Sequence, residues 1–144
     1  MLCPIQGEGG VRCTVVVVGR PVTKGTLVRG VGRALYYPPR VKVWEAEVRR
    51  EATRAMKADG LPLFEGRCAV HLRFYLTPTK GGKTPGRLRG DLDKLTRAVL
   101  DALSGAVYRD DEQVTTLLVS KQPVERNGLE RVEATINAHY ETAA

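Results

Sequence analysis

The sequence predicts a single α+β domain over residues 1–144, with a mixed β-sheet and two main helices. Two observations lead to this fold class. A chain of 144 residues suits one compact core, and its apolar residues alternate between the spacing of strands and that of helices. The resulting order is strand, helix, strand, helix, strand, strand, which is typical of an α+β fold. Residues 11–137 are expected to form the core, between looser ends.

The amino-terminal half predicts a strand, a loop and a helix. Residues 11–18 read as a strand because they end in four consecutive valines, which are β-branched. Residues 20–40 follow as a basic loop that glycines and prolines interrupt. Residues 41–58 carry an apolar stripe at helical spacing. Trp44 belongs to that stripe, so we expect it in the core.

A strand and a second helix follow in the carboxyl-terminal half. Residues 67–76 alternate apolar and polar side chains, as in a strand with one buried face. Residues 91–104 carry apolar side chains at helical spacing, and Gly105 ends this helix. Asp91 stands at its start, in a position for an N-cap or a first-turn carboxylate.

The last two predicted strands cover residues 114–120 and 131–137. A turn at Asn127 and Gly128 lies between them, and Asn-Gly is a favoured hairpin sequence. We therefore expect these two strands to pair with each other as a hairpin within the mixed sheet.

The net charge of +7 is concentrated in two loops that contain no acidic residue. Residues 20–42 hold six basic residues and residues 78–90 hold four. Clustered cations on Gly- and Pro-rich loops suit a polyanion such as DNA, although they also serve as solubilising charges. The candidate DNA contacts are Lys24, Arg29, Arg33, Lys80, Lys83, Arg87 and Arg89.

Composition excludes several other classes of protein. No apolar run approaches the roughly 20 residues that cross a bilayer, and the first ten residues lack the pattern of a secretory signal. The cysteines are three, an odd number, and they are far apart in the chain. This usage is typical of a reducing cytoplasm, so we expect a cytoplasmic protein without a membrane partner.

Two acidic pairs stand at opposite ends of the second predicted helix. Asp91 and Asp93 flank its start, whereas Asp110 and Asp111 follow its end. A helix of about 12 residues rises roughly 18 Å, and the six or seven extended residues after Gly105 return a similar length. Three carboxylates can therefore meet at one point, where Mg²⁺ or Mn²⁺ would neutralise them. The alternative is that these residues only cap the helix and form a turn.

These motifs resemble the RusA-type Holliday-junction resolvases of bacteria and phages. The resemblance covers residues 15–136 and is carried by Gly90-Asp91-Leu92-Asp93, Val99-Leu100-Asp101-Ala102-Leu103-Ser104-Gly105 and Asp110-Asp111-Glu112-Gln113-Val114. The Val22-Thr23-Lys24 loop, Trp44 and Lys121-Gln122-Pro123 also match the layout of the family. It implies a homodimeric, Mg²⁺-dependent endonuclease that nicks opposed strands of a four-way DNA junction in recombination and repair, in a bacterial or phage-infected cell. The family's three catalytic, metal-binding aspartates fall on Asp91, Asp93 and Asp111.

Two positions depart from the family pattern. Lys94 stands where the family usually has Asn, and Arg97 stands where the family has a functional lysine. Arg97 can stabilise negative charge on a phosphate, but its guanidinium does not give up a proton. If the reaction needs a proton from this position, Lys94 is the substitute, so both residues remain catalytic candidates.

The sequence indicates the roles of several residues near these motifs less specifically. Asp101 is expected to pair with Arg97 on the helix rather than bind metal. Asp110 is expected to form a turn or to support the ligands from behind, the alternative being a share of the metal. His71 is expected to be structural, the alternative being a contact to DNA. Glu112 and Gln113 either orient water or begin the next strand. Tyr36 and Tyr37 either stack on unpaired bases or pack against Pro38-Pro39.

A second class of function stays open alongside the nuclease. In a non-catalytic nucleic-acid-binding protein the same loops would bind phosphates and the acids would be structural. An aspartyl-phosphate phosphatase built on Asp-x-Asp fits poorly, because residues 87–90 are not the hydrophobic strand that such a site needs.

Overall fold

The computed structural model describes residues 10–32 and 34–139. Its two helices are α1 (Pro39–Ala58) and α2 (Leu92–Leu103). The strands, in chain order, are β1 (Val11–Val18), β2 (Val28–Arg29), β3 (Leu35–Tyr36), β4 (Cys68–Leu76), β5 (Val114–Pro123) and β6 (Arg131–Ala138). A short 3-10 helix, Asp111–Gln113, precedes β5. The predicted α+β class with two main helices is confirmed, and the basic loop contains an additional two-stranded ribbon, β2 and β3.

The main sheet has four strands in the order β1-β6-β4-β5. β6 is antiparallel to both β1 and β4, whereas β5 runs parallel to β4. The predicted mixed sheet is therefore confirmed. Both helices pack on one face of this sheet, where the inner residues of β1, Cys13, Val15 and Val17, are fully buried.

The predicted hairpin between the last two strands is wrong, because β4 lies between β5 and β6. β4 is buried along almost its whole length, so it takes a central position in the sheet. α2 then forms the crossover that a parallel strand requires, and this crossover brings β5 to the free edge of β4. The chain continues past the end of β4, where the Val124 N–H donates to the Leu76 carbonyl at 2.9 Å.

The helix α1 begins two residues before its predicted start. Pro38 is extended and Pro39 is the first helical residue, a position that proline tolerates because its missing N–H would have no helical partner. Trp44 is buried on the inner face of α1, as predicted. No helix within the described ranges is long and apolar enough to cross a membrane.

The segment after α2 is part of the core, which the apolar pattern did not predict. Gly105 reverses the chain with a φ of 87°, and its N–H donates to the Tyr108 carbonyl at 2.7 Å. Tyr108 is fully buried, and its hydroxyl donates to the Leu100 carbonyl at 2.8 Å. Burial raises the pKa of this phenol. The anchored Tyr108 brings the residues that follow it back beside α2.

Candidate active site

One cavity lies where α2, the 3-10 helix and β5 meet. It has a volume of about 560 Å³, and three carboxylates, those of Asp93, Asp101 and Asp111, stand among its lining residues. The remaining lining residues are Leu92, Thr96, Arg97, Leu100, Leu117 and Val119. We call this space the carboxylate cavity. It combines acidic side chains and one cation with a largely apolar lining.

The periodicity of α2 explains one wall of the carboxylate cavity. Asp93, Arg97 and Asp101 are four residues apart, so they follow one another along the same face of the helix. The opposite face of α2 carries fully buried residues such as Ala98 and Leu103. An amphipathic helix therefore presents its polar stripe to the cavity and its apolar stripe to the core.

The other acidic pair is held by a compact turn. Asp110 caps the 3-10 helix, since its Oδ1 accepts from the Glu112 N–H at 2.9 Å, and this confirms the predicted turn role. The side chain of Gln113 accepts from the Asp110 N–H at 3.0 Å and donates to the Phe64 carbonyl at 2.7 Å. These bonds fix the backbone on both sides of Asp111 and leave its carboxylate facing the cavity.

The ionised form of Asp111 carries an electrostatic penalty. Burial raises its pKa, and the nearby carboxyls of Asp110 and Asp101 raise it further. The pKa of Asp110 is instead lowered, first by the backbone N–H of Glu112. Negative charge is therefore crowded at Asp111, and a bound cation would relieve it.

Of the three predicted metal ligands, Asp91 does not line the carboxylate cavity. It occupies the N-cap position of α2, but its side chain makes no capping hydrogen bond. Its Oδ2 instead lies 3.3 Å from Nζ of Lys94, and both side chains are largely exposed. Lys94 is thus paired outside the cavity lining, whereas Arg97 is part of that lining.

The donor set suits Mg²⁺ in its chemistry, because carboxylate oxygens are the protein ligands that this ion prefers. Asp93 and Asp111 face one cavity, and the crowding of charge at Asp111 favours a cation there. Across residues 10–32 and 34–139, however, no three acidic, histidine or cysteine side chains are gathered closely enough to hold a metal ion. Asp91 would join such a group only by leaving its ion pair with Lys94.

Lys24 differs from the exposed cation that the sequence predicted. Its side chain is buried, with Nζ 2.9 Å from Oδ2 of Asp101 and 3.1 Å from Oε1 of Glu45. Nζ also lies over the ring of Tyr37, 4.5 Å from its centre. Burial alone would lower the pKa of Lys24, but the hydrogen bonds to Asp101 and Glu45 outweigh it and raise the pKa. Lys24 is therefore engaged inside the protein.

Arg97 is held at the cavity by Tyr37. Its Nη2 donates to the Tyr37 hydroxyl at 3.1 Å. The predicted pair between Arg97 and Asp101 is present but long, at 4.0 Å from Nε to Oδ2. The shortest ion pair of Asp101 is the one with Lys24. Tyr37 thus contacts two cations at the site.

A second cavity is lined in part by Arg89 and Gly90, in the loop that leads into α2. It has a volume of about 470 Å³, and its lining includes Arg20, Arg40, Arg89 and Gly90. We call it the arginine cavity. Within the described part of the chain, these three guanidinium groups have no ion pair. Glu130 also lines this cavity, so three cations stand against one carboxylate, and the net positive charge favours an anionic ligand.

The remaining predicted DNA contacts are exposed on the loops. Arg29 is exposed on β2, and Lys80 is exposed beyond the end of β4. Lys83, Arg87 and Arg89 line a small cavity of about 180 Å³ in the second basic loop, so Arg89 borders both basic cavities. Arg33 lies outside the described residues. The predicted contacts omitted Arg20 and Arg40, although both belong to the acid-free basic segment.

His71 lies away from both cavities. It alternates with the buried Val70 and Leu72 on β4, so its side chain belongs to the sheet face opposite the helices. Burial lowers its pKa, and the nearby Arg73 adds to this effect.

Comparison with known proteins identifies the family. The family model for the RusA endodeoxyribonucleases matches residues 18–137, which is most of the chain. The chain therefore belongs to the RusA endodeoxyribonuclease family, whose members act on branched DNA junctions, and it is an endodeoxyribonuclease by this membership. A search of curated proteins finds no match. The predicted resemblance over residues 15–136 is confirmed.

Proposed function

We propose that this protein is an Mg²⁺-dependent endonuclease that resolves four-way DNA junctions by paired phosphodiester hydrolysis. The observation that carries the proposal is the carboxylate cavity, because Asp93, Asp111 and Arg97 all line it. Membership of the RusA family supports a DNA substrate. The cellular process that we propose is DNA recombination and repair in the cytoplasm of a bacterial or phage-infected cell.

The residues that we propose as metal ligands are Asp91, Asp93 and Asp111. Mg²⁺, or Mn²⁺ in its place, supplies Lewis-acid polarisation of a phosphate oxygen when it is bound. Asp93 and Asp111 already line the cavity, and the crowding of negative charge that raises the pKa of Asp111 favours a bound cation there. Asp91 is exposed and adjacent to this group, so release from Lys94 makes its carboxylate available.

Arg97 is the cation that we propose for the reacting phosphate. It lines the carboxylate cavity and is oriented by the Tyr37 hydroxyl. A guanidinium remains protonated, so its contribution is to stabilise the negative charge that develops on the phosphate oxygens. Lys94 remains the alternative source of positive charge, since its partner Asp91 is itself a proposed ligand.

The basic cavities suggest the course of a DNA strand. Gly90 lines the arginine cavity and directly precedes Asp91, so a phosphate bound by Arg20, Arg40 and Arg89 would be close to the reacting one. From Arg89 the cationic lining continues to Lys83 and Arg87. Such contacts position a DNA backbone without reading its sequence. This suits an enzyme that selects its substrate by branched shape.

We propose that two copies of the chain act together. A four-way junction has approximate two-fold symmetry, and a two-fold dimer presents two equivalent sites to it. β5 is an edge strand of the described sheet, and Leu117 and Leu118 on it are exposed at 45% and 38%. An unpaired edge with exposed apolar residues is a suitable surface for another protein chain.

The experiment that tests the proposal is cleavage of a synthetic four-way junction. In Mg²⁺ the wild-type protein is expected to cut opposed strands, and Asp93→Asn is expected to cut at least about 100-fold more slowly, because loss of even an indirect ligand contact costs up to that factor. Glu51→Gln, at a half-buried position of α1 that lines neither the carboxylate cavity nor the basic cavities, is the matched control and keeps the wild-type rate. Equal rates for Asp93→Asn and wild type would refute the catalytic assignment.

The same assay separates the nuclease from a non-catalytic binding protein. The observation that favours the latter is that no three potential metal ligands are gathered in the described part of the chain, where Asp91 is paired with Lys94. A binding protein would retain the junction in Mg²⁺ and in Mn²⁺ without cutting it. The double variant Lys94→Asn with Arg97→Lys, which restores the family pattern, would then also be inactive.

A further inference from the structure

Lys121 occupies an unusual place on the edge strand β5. In the parallel pairing with β4 its register partner is Phe74, which is fully buried. Leu117 and Val119, two positions apart on the same side of β5, line the carboxylate cavity. Lys121 therefore belongs to the inner face of the sheet, where a charged ammonium requires polar partners to offset its loss of hydration.

Those partners are backbone carbonyls of the chain that leads into α2. Nζ of Lys121 donates to the Leu88 carbonyl at 2.8 Å and to the Gly90 carbonyl at 2.9 Å. Within the described ranges Lys121 makes no ion pair, and both of its hydrogen bonds go to backbone carbonyls. Gly90 directly precedes Asp91, and Leu88 lies two residues before Gly90.

The ends of this lead-in are bonded elsewhere, Arg87 to Thr79 and the Asp91 carbonyl to the Leu95 N–H, but in the described part of the chain residues 88–90 make no other hydrogen bond. Residues 87–91 belong to no helix or strand. Gly90 adopts a φ of 95°, and a Cβ placed on it would come within 3.1 Å of Cγ2 of Thr23. The backbone here must therefore take one particular path between the Thr23 loop and β5. A cation that bonds two carbonyls of alternate residues is well suited to hold that path.

We propose that Lys121 is a positioning residue, whose ammonium holds the Leu88 and Gly90 carbonyls so that Asp91 and Asp93 are presented to the metal opposite Asp111. The inference rests on the proposed function, which it deepens by adding a residue that acts through the backbone. Lys121 contributes no ligand of its own. Its role is to lower the free energy needed to bring together carboxylates that otherwise repel one another.

The test compares Lys121→Met, which keeps the length of the side chain but removes its donors, with the neighbouring control Gln122→Met on the outer face of β5. The first readout uses metal-free protein and limited trypsin digestion. Arg87 and Arg89 are tryptic sites within the lead-in, and cleavage there is expected to accelerate in Lys121→Met and not in Gln122→Met. Unchanged cleavage would overturn the proposed hold on the backbone.

The second readout is Mn²⁺ affinity, measured by the electron paramagnetic resonance of free Mn²⁺. Lys121→Met is expected to weaken binding by about 10- to 100-fold, the range for residues that orient ligands, while Lys121→Arg, which keeps N–H donors, retains most of the affinity. In junction cleavage the loss should appear in kcat and in the Mg²⁺ requirement, with KM for DNA unchanged. Wild-type Mn²⁺ affinity in Lys121→Met would refute the proposal.

Thermal unfolding distinguishes positioning from general stability. If Lys121→Met does not fold, Lys121→Gln, which can still donate to one carbonyl, decides between the outcomes by the same two readouts. If the wild-type protein itself neither binds Mn²⁺ nor cuts DNA, the proposed function fails, and with it the part of the inference that concerns the metal. The trypsin comparison still reports whether Lys121 holds the lead-in.

Discussion

Nζ of Lys24 lies 2.9 Å from Oδ2 of Asp101, and this ion pair joins the loop after β1 to the last turn of α2. Glu45 on α1 completes the arrangement at 3.1 Å. A single lysine thus links the first basic loop, both helices and one wall of the carboxylate cavity. Its charge is compensated inside the protein, so it serves the architecture of the site.

Lys24→Met is expected to destabilise the fold. The substitution leaves Asp101 and Glu45 without their shared cation in a largely buried position, which costs about 2–3 kcal/mol. Urea unfolding measures the effect as a lower midpoint with an unchanged slope. Lys42→Met, at an exposed position on α1, should keep the wild-type midpoint. Equal midpoints for the two variants would contradict the assigned role.

Asp111→Asn is expected to raise stability while it abolishes cleavage. The folded-state pKa of Asp111 is raised, first by burial and then by its neighbouring carboxyls. Its ionised form therefore costs stability, and this cost appears as the pH rises from the unfolded value of about 3.9 through the folded pKa. Thermal melts should show a gain of roughly 1–2 °C at pH 7 that disappears near pH 3. If the gain in melting temperature grew at low pH, it would contradict a raised pKa for Asp111.

Substitutions at Arg97 test how the cation acts. If charge alone matters, Arg97→Lys keeps single-turnover cleavage within about tenfold, whereas Arg97→Met slows it by about 100-fold or more. Lys94→Met serves as the comparison, because Lys94 pairs with Asp91 outside the cavity lining. A larger loss in Lys94→Met than in Arg97→Met would assign the catalytic cation to Lys94.

The arginine cavity makes a prediction about salt. Each phosphate contact contributes about 0.9 to the slope of log affinity against log salt concentration for duplex DNA. Arg20→Gln and Arg40→Gln should each reduce that slope by about 0.9 in metal-free binding to a four-way junction. Arg54→Gln, on α1 and paired with Glu51, is the control with an unchanged slope. If all three variants share the wild-type slope, the cavity does not bind DNA.

Gly90→Ala separates crowding from backbone strain. Gly90 and Gly82 both have positive φ, at 95° and 86°, but only at Gly90 would a Cβ meet neighbours, 3.1 Å from Thr23 and 3.2 Å from Leu95. Gly82→Ala should therefore cost the strain alone, about 1 kcal/mol. Gly90→Ala should cost more, by at least about 1 kcal/mol. Urea midpoints measure both, and equal losses would exclude a steric role for Gly90.

The elements with strong periodicity were predictable from the sequence. The valine run of β1, the alternation of β4 and the apolar stripe of α2 predict their elements to within one residue, because burial of one face imposes a spacing that is visible locally. The hairpin prediction failed for the opposite reason. The Asn127 turn is compatible with pairing of β5 and β6, but β4 competes for both strands, and local sequence does not record that competition.

For the candidate site, too, the local features were predictable from the sequence and the long-range contacts were not. Sequence by itself determined that Arg97 and Asp101 are one helical turn apart, and that the chain is long enough for Asp110 or Asp111 to return beside Asp91 and Asp93. Tertiary structure alone decided that Lys24 is buried between Glu45 and Asp101. It also decided that Arg20, Arg40 and Arg89 line one cavity, and that Lys121 donates to the Gly90 carbonyl. These contacts join residues far apart in the chain, so they arise from packing of the sheet and helices, which no local spacing encodes.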